Sequence, residues 1–261
     1  MRPEFYNFTI STEGLWMDFS NKRILITGAT SGIGYCTSKK LIDSGANIVI
    51  IGRNQSRLEE LSAIAPDRVL SITFDLLDFT NYRNLVITLP ILDGIVHSAG
   101  ITHANPLRYF SLKYYQDVIN INQTSPTLLT AEILRNNKIA NGGSIVFLSS
   151  INGTKVGIKG STAYGASKAA LVAVSRVVAL EVGHKGIRSN CISPGNIETE
   201  MISGLTELSE RDIEADKRRY PLESRFGKVE EAADAILFLL SNASSFMTGN
   251  NLILDGGYSA N

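Results

Sequence analysis

From Arg23 onward, short unbroken runs of Ile, Val and Leu alternate with longer stretches in which apolar residues recur at helical spacing. The runs predict strands at residues 23–27, 47–51, 69–74, 93–97, 144–149, 188–193 and 252–254. Most are continuous rather than alternating, as expected of strands covered on both faces. The helical spacing predicts helices over 32–44, 55–65, 112–136, 163–183 and 229–241. Strand and helix in this order argue for an α/β fold, a single Rossmann-type, doubly wound parallel sheet of about seven strands with helices on both faces. No internal repeat, low-complexity tract or linker interrupts the pattern, so residues 1–261 read as one domain.

Two segments depart from it. Residues 1–18 form an N-terminal extension that includes Met17, itself a natural start. Phe8, Ile10 and Thr12 alternate with polar neighbours, which suits an added strand or hairpin; an upstream start or a flexible tail fits equally. Residues 196–221 are polar, acidic early and basic late at Lys217, Arg218 and Arg219. A long connection after a strand's carboxyl end is where ligand-covering segments sit, so 196–221 is expected to be a substrate lid, with a rigid pair of surface helices as the alternative.

Composition narrows the function classes. The 25 basic and 25 acidic residues cancel, which gives no support to nucleic acid or an anionic membrane as partner. No apolar run reaches the length of a membrane span and no secretory signal opens the chain, so a cytoplasmic location is expected. The two cysteines, Cys36 and Cys191, lack metal-ligand spacing, and no metal site is expected.

The first strand runs into Thr27-Gly28-Ala29-Thr30-Ser31-Gly32-Ile33-Gly34 and then a helix. A dinucleotide pyrophosphate needs backbone amides at a helix N-terminus with no side chain blocking close approach, and Gly28, Gly32 and Gly34 meet that need. The T-G-x-x-x-G-x-G spacing resembles that of the short-chain dehydrogenase/reductase family, and later residues agree in order. His97-Ser98-Ala99-Gly100 resembles the family's N-N-A-G, with both asparagines replaced. Asn122 matches the helix asparagine, Ser150 the catalytic serine and Tyr164-x-x-x-Lys168 the active pair. Pro194-Gly195 and Asp255-Gly256-Gly257 match later markers, and 221–227 with 247–249 resemble the β-ketoacyl carrier-protein reductase branch.

That resemblance implies an oxidoreductase moving hydride between nicotinamide and a ketone or secondary alcohol, and its roles make chemical sense. A ketone that accepts hydride becomes an alkoxide and needs a proton, which Tyr164 supplies. Lys168, one helical turn on, is expected to lower the tyrosine pKa and hold the nicotinamide ribose. Ser150 would hydrogen-bond the substrate carbonyl, with Ser149 as rival, and Asn122 would hold a water linking Lys168 to solvent. Ser150 to Tyr164 is one residue longer than usual, implying an enlarged loop. His97 could be read as a general base, but the family uses that strand-end position structurally.

For cofactor choice, the place after the second strand where an acid would select NAD is Gly52, and Arg53 follows with a guanidinium suited to a 2′-phosphate. NADP(H) is therefore favoured over NAD(H). Asp75 and Leu76 are expected at the adenine, Ser98, Ala99 and Gly100 along the dinucleotide, and Ile197 and Thr199 at the carboxamide. Tyr164, Lys168, Pro194 and Gly195 complete the cofactor set. The partner expected is a small carbonyl or alcohol substrate. Helix 163–183 is apolar nearly all round, so its outer face wants a copy of itself, and a homotetramer is expected, with a dimer second. The alternatives are an NAD-linked alcohol or sugar dehydrogenase and a non-catalytic dinucleotide sensor.

Overall fold

The computed structural model describes residues 17–102, 104–199 and 210–260. The N-terminal extension up to residue 16 and residues 200–209 of the expected lid lie outside the described residues. Seven strands form one parallel sheet: β1 (Arg23–Thr27), β2 (Asn47–Gly52), β3 (Val69–Thr73), β4 (Leu92–His97), β5 (Ile139–Leu148), β6 (Arg188–Pro194) and β7 (Asn251–Leu254). Their order is β3-β2-β1-β4-β5-β6-β7. The chain winds outward from β1 to β3, returns to the centre at β4 and winds the other way. The reversal between β1 and β4 opens a crevice at the strands' carboxyl ends.

The unbroken apolar runs are explained by two separate cores. Leu25, Val49, Ile51, Ile95, Ile145, Phe147 and Cys191 point into one, while Ile24, Ile26, Ile48, Ile50, Val96, Val146 and Ile192 point into the other. Consecutive strand residues thus fill opposite faces. The second face is covered by α1 (Gly32–Asp43), α2 (Gln55–Ile64) and α8 (Val229–Leu240). The first is covered by α3 (Tyr82–Thr88), α5 (Ser125–Arg135) and α6 (Thr162–Val182).

Three departures from the sequence reading have local causes. The helix expected over 112–136 is α4 (Leu112–Ile119), a π-helical turn (Asn120–Thr124) and α5. Pro126, in the first turn of α5, has no N–H to offer the carbonyl of Asn122 four residues earlier, so the regular ladder cannot pass this point. Helix α3 went unpredicted because seven residues carry too little periodicity. β5 begins at Ile139 rather than at 144, through the polar stretch Asn141-Gly142-Gly143, and its pairing with β4 shifts register between Leu92 and Gly94.

Candidate active site

The crevice is a cleft of about 620 Å³ whose walls include the segments that leave β1, β2, β3, β4, β5 and β6. At its centre β1 turns into α1. Gly28 has φ +67°, and a Cβ there would lie 2.7 Å from the Cα of Ala99. Gly34 is as constrained, since its Cβ would come 2.3 Å from the carbonyl oxygen of Gly28. These glycines let the turn after β1 press against Ser98-Ala99 after β4, leaving the first amides of α1 facing the cleft. The Ser31 side chain makes no capping bond to them. A helix N-terminus uncapped by its own side chain, beneath a glycine turn, fits a dinucleotide pyrophosphate.

Thr30, Ser31, Gly32 and Ile33 line this part of the cleft, as do Arg53, Asp75, Leu76, Ser98, Ala99 and Gly100. Arg53 stands exposed where β2 ends. Gly52 is more than the lack of an acid: a Cβ there would meet the methyl of Thr30 at 2.7 Å. The Asp75 carboxylate accepts from the Leu77 amide at 3.0 Å.

The other half grows from β5 and α6. Ser150 follows β5, and its hydroxyl shares a hydrogen bond with that of Tyr164 near the start of α6. Burial pushes the Tyr164 hydroxyl up, and the Ser150 bond only partly offsets it. The Lys168 ammonium donates to the carbonyl of Leu148 at 2.7 Å and lies 5.6 Å from the tyrosine ring centre. Its own pKa falls to about 8, because burial disfavours its charge. Ser149, the rival, turns its hydroxyl into α6, donating to the Lys168 carbonyl at 2.7 Å.

Asn122 is tied down through its side chain. Its amide donates to the carbonyl of Ile101 at 2.9 Å and to the Ser167 hydroxyl at 3.1 Å, and its oxygen accepts from the Ile101 amide at 2.8 Å. Its side chain is spent on holding the segment after β4 against α6. Its main-chain carbonyl lacks the regular helical donor, because Pro126 has no N–H.

His97 is not near the chemistry. It is buried, stacks on Phe147 at 4.9 Å and bonds the Thr130 hydroxyl through Nε2 at 2.8 Å. Its Nδ1 has no partner, and burial holds its pKa down to about 3, so it is a neutral packing group.

Pro194, Gly195, Ile197 and Thr199 line the cleft after β6. A third core of Ile151, Tyr220, Phe226 and Tyr258 props this loop. The Tyr220 hydroxyl accepts from the Asn196 amide at 2.8 Å, and a Cβ on Gly195 would meet the Tyr220 ring at 3.0 Å. Asp255 holds the adjoining turn by accepting from the amides of Gly257 and Ser259 at 3.0 and 2.9 Å.

The described part of the expected lid contains one helix, α7 (Glu210–Lys217). Asp216 ties it down, accepting from the Asn196 amide group at 2.7 Å and from Arg219 at 3.2 Å. The basic run is largely engaged at home: Lys217 pairs with Glu214 at 2.9 Å, and Arg219 lies 4.3 Å over the Tyr258 ring. Sequence reasoning missed Asn152, Asn196, Asp212, Asp216 and Tyr258, all of which line the cleft. Only Asn152, two residues after Ser150, carried a signal by position.

No helix among the described residues is long and apolar enough to cross a membrane, and among them no three His, Cys, Asp or Glu side chains cluster to hold a metal. The family model described as enoyl-(acyl carrier protein) reductase matches residues 28–259. The chain is 35% identical over 247 residues to a 3-oxoacyl-[acyl-carrier-protein] reductase of Chlamydia muridarum, covering 91% of this chain and 97% of the relative. Among solved structures it is similar to a glucose/ribitol dehydrogenase-type protein from Brucella melitensis, with TM-score 0.86 and 31% identity over 93% of this chain and 98% of the other. A gluconate 5-dehydrogenase from Burkholderia cenocepacia, solved with NADP and tartrate, superposes with TM-score 0.85 at 26% identity, covering 94% of this chain and 97% of the other. With glycine turn, Ser150–Tyr164 pair and buried Lys168 meeting in one crevice at the sheet's switch point, the chain belongs to the short-chain dehydrogenase/reductase family of oxidoreductases.

Proposed function

We propose that this enzyme is an NADP(H)-dependent reductase of a ketone, with a 3-oxoacyl or related carbonyl compound as its substrate class. The observation that carries the reading is the hydrogen-bonded Ser150–Tyr164 pair in a cleft whose far end presents Arg53 beside Gly52. The 3-oxoacyl reductases among its relatives and the NADP-bound neighbour support it. The cofactor-binding residues are those of the glycine turn, Arg53, Asp75, Leu76, 98–100, Lys168 and the loop from Pro194 to Thr199.

When bound, the reduced nicotinamide supplies the hydride that adds to the carbonyl carbon. Ser150 donates a hydrogen bond to the carbonyl oxygen as negative charge gathers there. Tyr164 gives that oxygen its phenolic proton while the new C–H bond forms, leaving a tyrosinate and a neutral alcohol. Lys168, charged below about pH 8, steadies the tyrosinate and feeds it a proton, which it regains from solvent through a water that Asn122 would hold. At the substrate end, the loop from Pro194 to Thr199 and α7 border the cleft, α7 contributing Asp212 and Asp216 to its wall.

The outer face of α6 leaves Val177 and Leu180 exposed, and we propose that a second copy covers it within a homotetramer. A monomer by light scattering at micromolar concentration would overturn this. The cofactor reading is tested by steady-state kinetics with both nucleotides. Wild type should prefer NADPH in kcat/KM, and Gly52→Asp with Arg53→Leu should reverse the preference once Thr30→Ser makes room at the 2.7 Å contact. A wild type that prefers NADH would sink it.

A further inference from the structure

Beside the Ser150–Tyr164 pair, one polar group has no assignment. Asn152 is more than nine-tenths buried, lines the cleft, and its side-chain amide makes no hydrogen bond with any described residue. Its main chain is fixed from several directions. The Asn152 amide donates to the Ser150 hydroxyl at 3.1 Å, and Asn152 bridges to Val156 in a tight loop. The carbonyl of Ile151 accepts from the amides of Thr154, Lys155 and Val156 at 2.8 to 3.1 Å.

Two glycines press this loop onto the start of α6. A Cβ at Gly153 would fall 2.1 Å from the carbonyl oxygen of Gly165, and one at Gly165 would lie 3.1 Å from the Asn152 side-chain oxygen. The amide therefore packs over the residue that follows Tyr164, two residues from Ser150. The extra residue between Ser150 and Tyr164 falls in this same stretch.

No described protein group bonds the Asn152 side-chain amide, and the residue lines the cleft, so its hydrogen-bonding capacity is available to a ligand there. We infer that Asn152 binds the substrate, donating from its amide nitrogen to a second carbonyl oxygen close to the one reduced. This deepens the proposed reductase reading and rests on it: the substrate is a dicarbonyl compound, such as a 3-oxo ester or thioester, rather than a simple ketone. A site built to hydrogen-bond a group rejects analogues that lack it more strongly than a merely apolar pocket does.

The test compares ethyl 3-oxobutanoate with 2-heptanone, which offers the same methyl ketone on a chain of similar length without the second carbonyl. Wild type, Asn152→Ala and Asn152→Ser are assayed by NADPH oxidation, and NADPH affinity is measured by fluorescence to show that each variant is folded. Wild type should favour the 3-oxo ester. Asn152→Ala should lower kcat/KM on it by about 10–100-fold and on 2-heptanone by no more than about threefold. Asn152→Ser, which keeps a donor, should recover part of the loss. Equal losses on both ketones would mean that Asn152 only shapes Ser150, and would overturn the inference, as would no loss on either. A wild type that oxidises NADPH with neither ketone while binding it normally would instead overturn the reductase reading beneath.

Discussion

The two halves of the cleft are built by different means. On the side of β1, β2 and β4, the walls are main chain: glycine turns, the amides of α1 and the closely packed segment after β4. On the side of β5, β6 and α7, they are side chains brought from distant points, with Asn196 joined to Asp216 and Arg219 stacked on Tyr258. A phosphate-bearing ligand is recognised by backbone amides, and only the absence of side chains can expose them. A variable organic substrate is recognised by side chains, which can change without disturbing the sheet. One half is therefore rigid in its sequence requirements and the other free to diverge.

The largest effect should come where the halves meet. Tyr164→Phe removes only the proton donor, so kcat should fall by about a thousandfold or more while NADPH affinity holds within about twofold. Lys168→Ala should damage both. Retention of more than a few per cent of activity in Tyr164→Phe, in the NADPH oxidation assay, would place the acid elsewhere.

Next in size is Gly28→Ala. The new methyl would sit 2.7 Å from the Ala99 main chain at a φ of +67°. NADPH affinity should weaken by about 10–100-fold and thermal unfolding should show a loss of about 1–3 kcal/mol. An unchanged dissociation constant would break the claim that this half is read through backbone geometry. In the other half, Asp216→Ala frees α7 from Asn196 and Arg219. It should raise the ketone KM about three- to tenfold and leave the NADPH dissociation constant alone. A matching loss in NADPH binding would erase the distinction between the halves.

The smallest effect on turnover should come from His97→Gln, because His97 lies outside the cleft. Its signature is in acid stability. The folded protein holds His97 neutral down to about pH 3, whereas the unfolded chain protonates it near 6.5. Its contribution is therefore intact above pH 6.5 and is lost as the pH falls from 6.5 toward 3, by at most about 1.4 kcal/mol per pH unit. His97→Gln keeps a donor for Thr130 and should flatten this dependence by about one proton in urea titrations across that window. An unchanged slope would show that the buried ring titrates normally.

Legibility in the sequence followed the same division. The strand runs, the glycine turn and the Tyr164–Lys168 spacing are local patterns, and each reappears within a residue or two in α1, α6 and the strands, except that β5 starts five residues early through its polar stretch. Helix α3 and the π turn were illegible, the first too short to carry a period and the second produced by Pro126 acting on the carbonyl of Asn122. The side-chain amide of Asn122 bonds Ile101, a contact 21 residues away that no spacing announces.

The amino-acid sequence alone determined the doubly wound sheet, because burial on two faces demands continuous apolar strands, and it determined the oxidoreductase family, because a pyrophosphate turn demands glycine at fixed steps. Only the tertiary structure decided the electrostatics: burial raises Tyr164, drops Lys168 to about pH 8 and silences His97. It alone showed that Asn152 faces the cleft unpaired and that Asp216 fastens α7 over it. Desolvation and hydrogen-bond satisfaction depend on what surrounds a group in three dimensions, and residues far apart in the chain supply those surroundings.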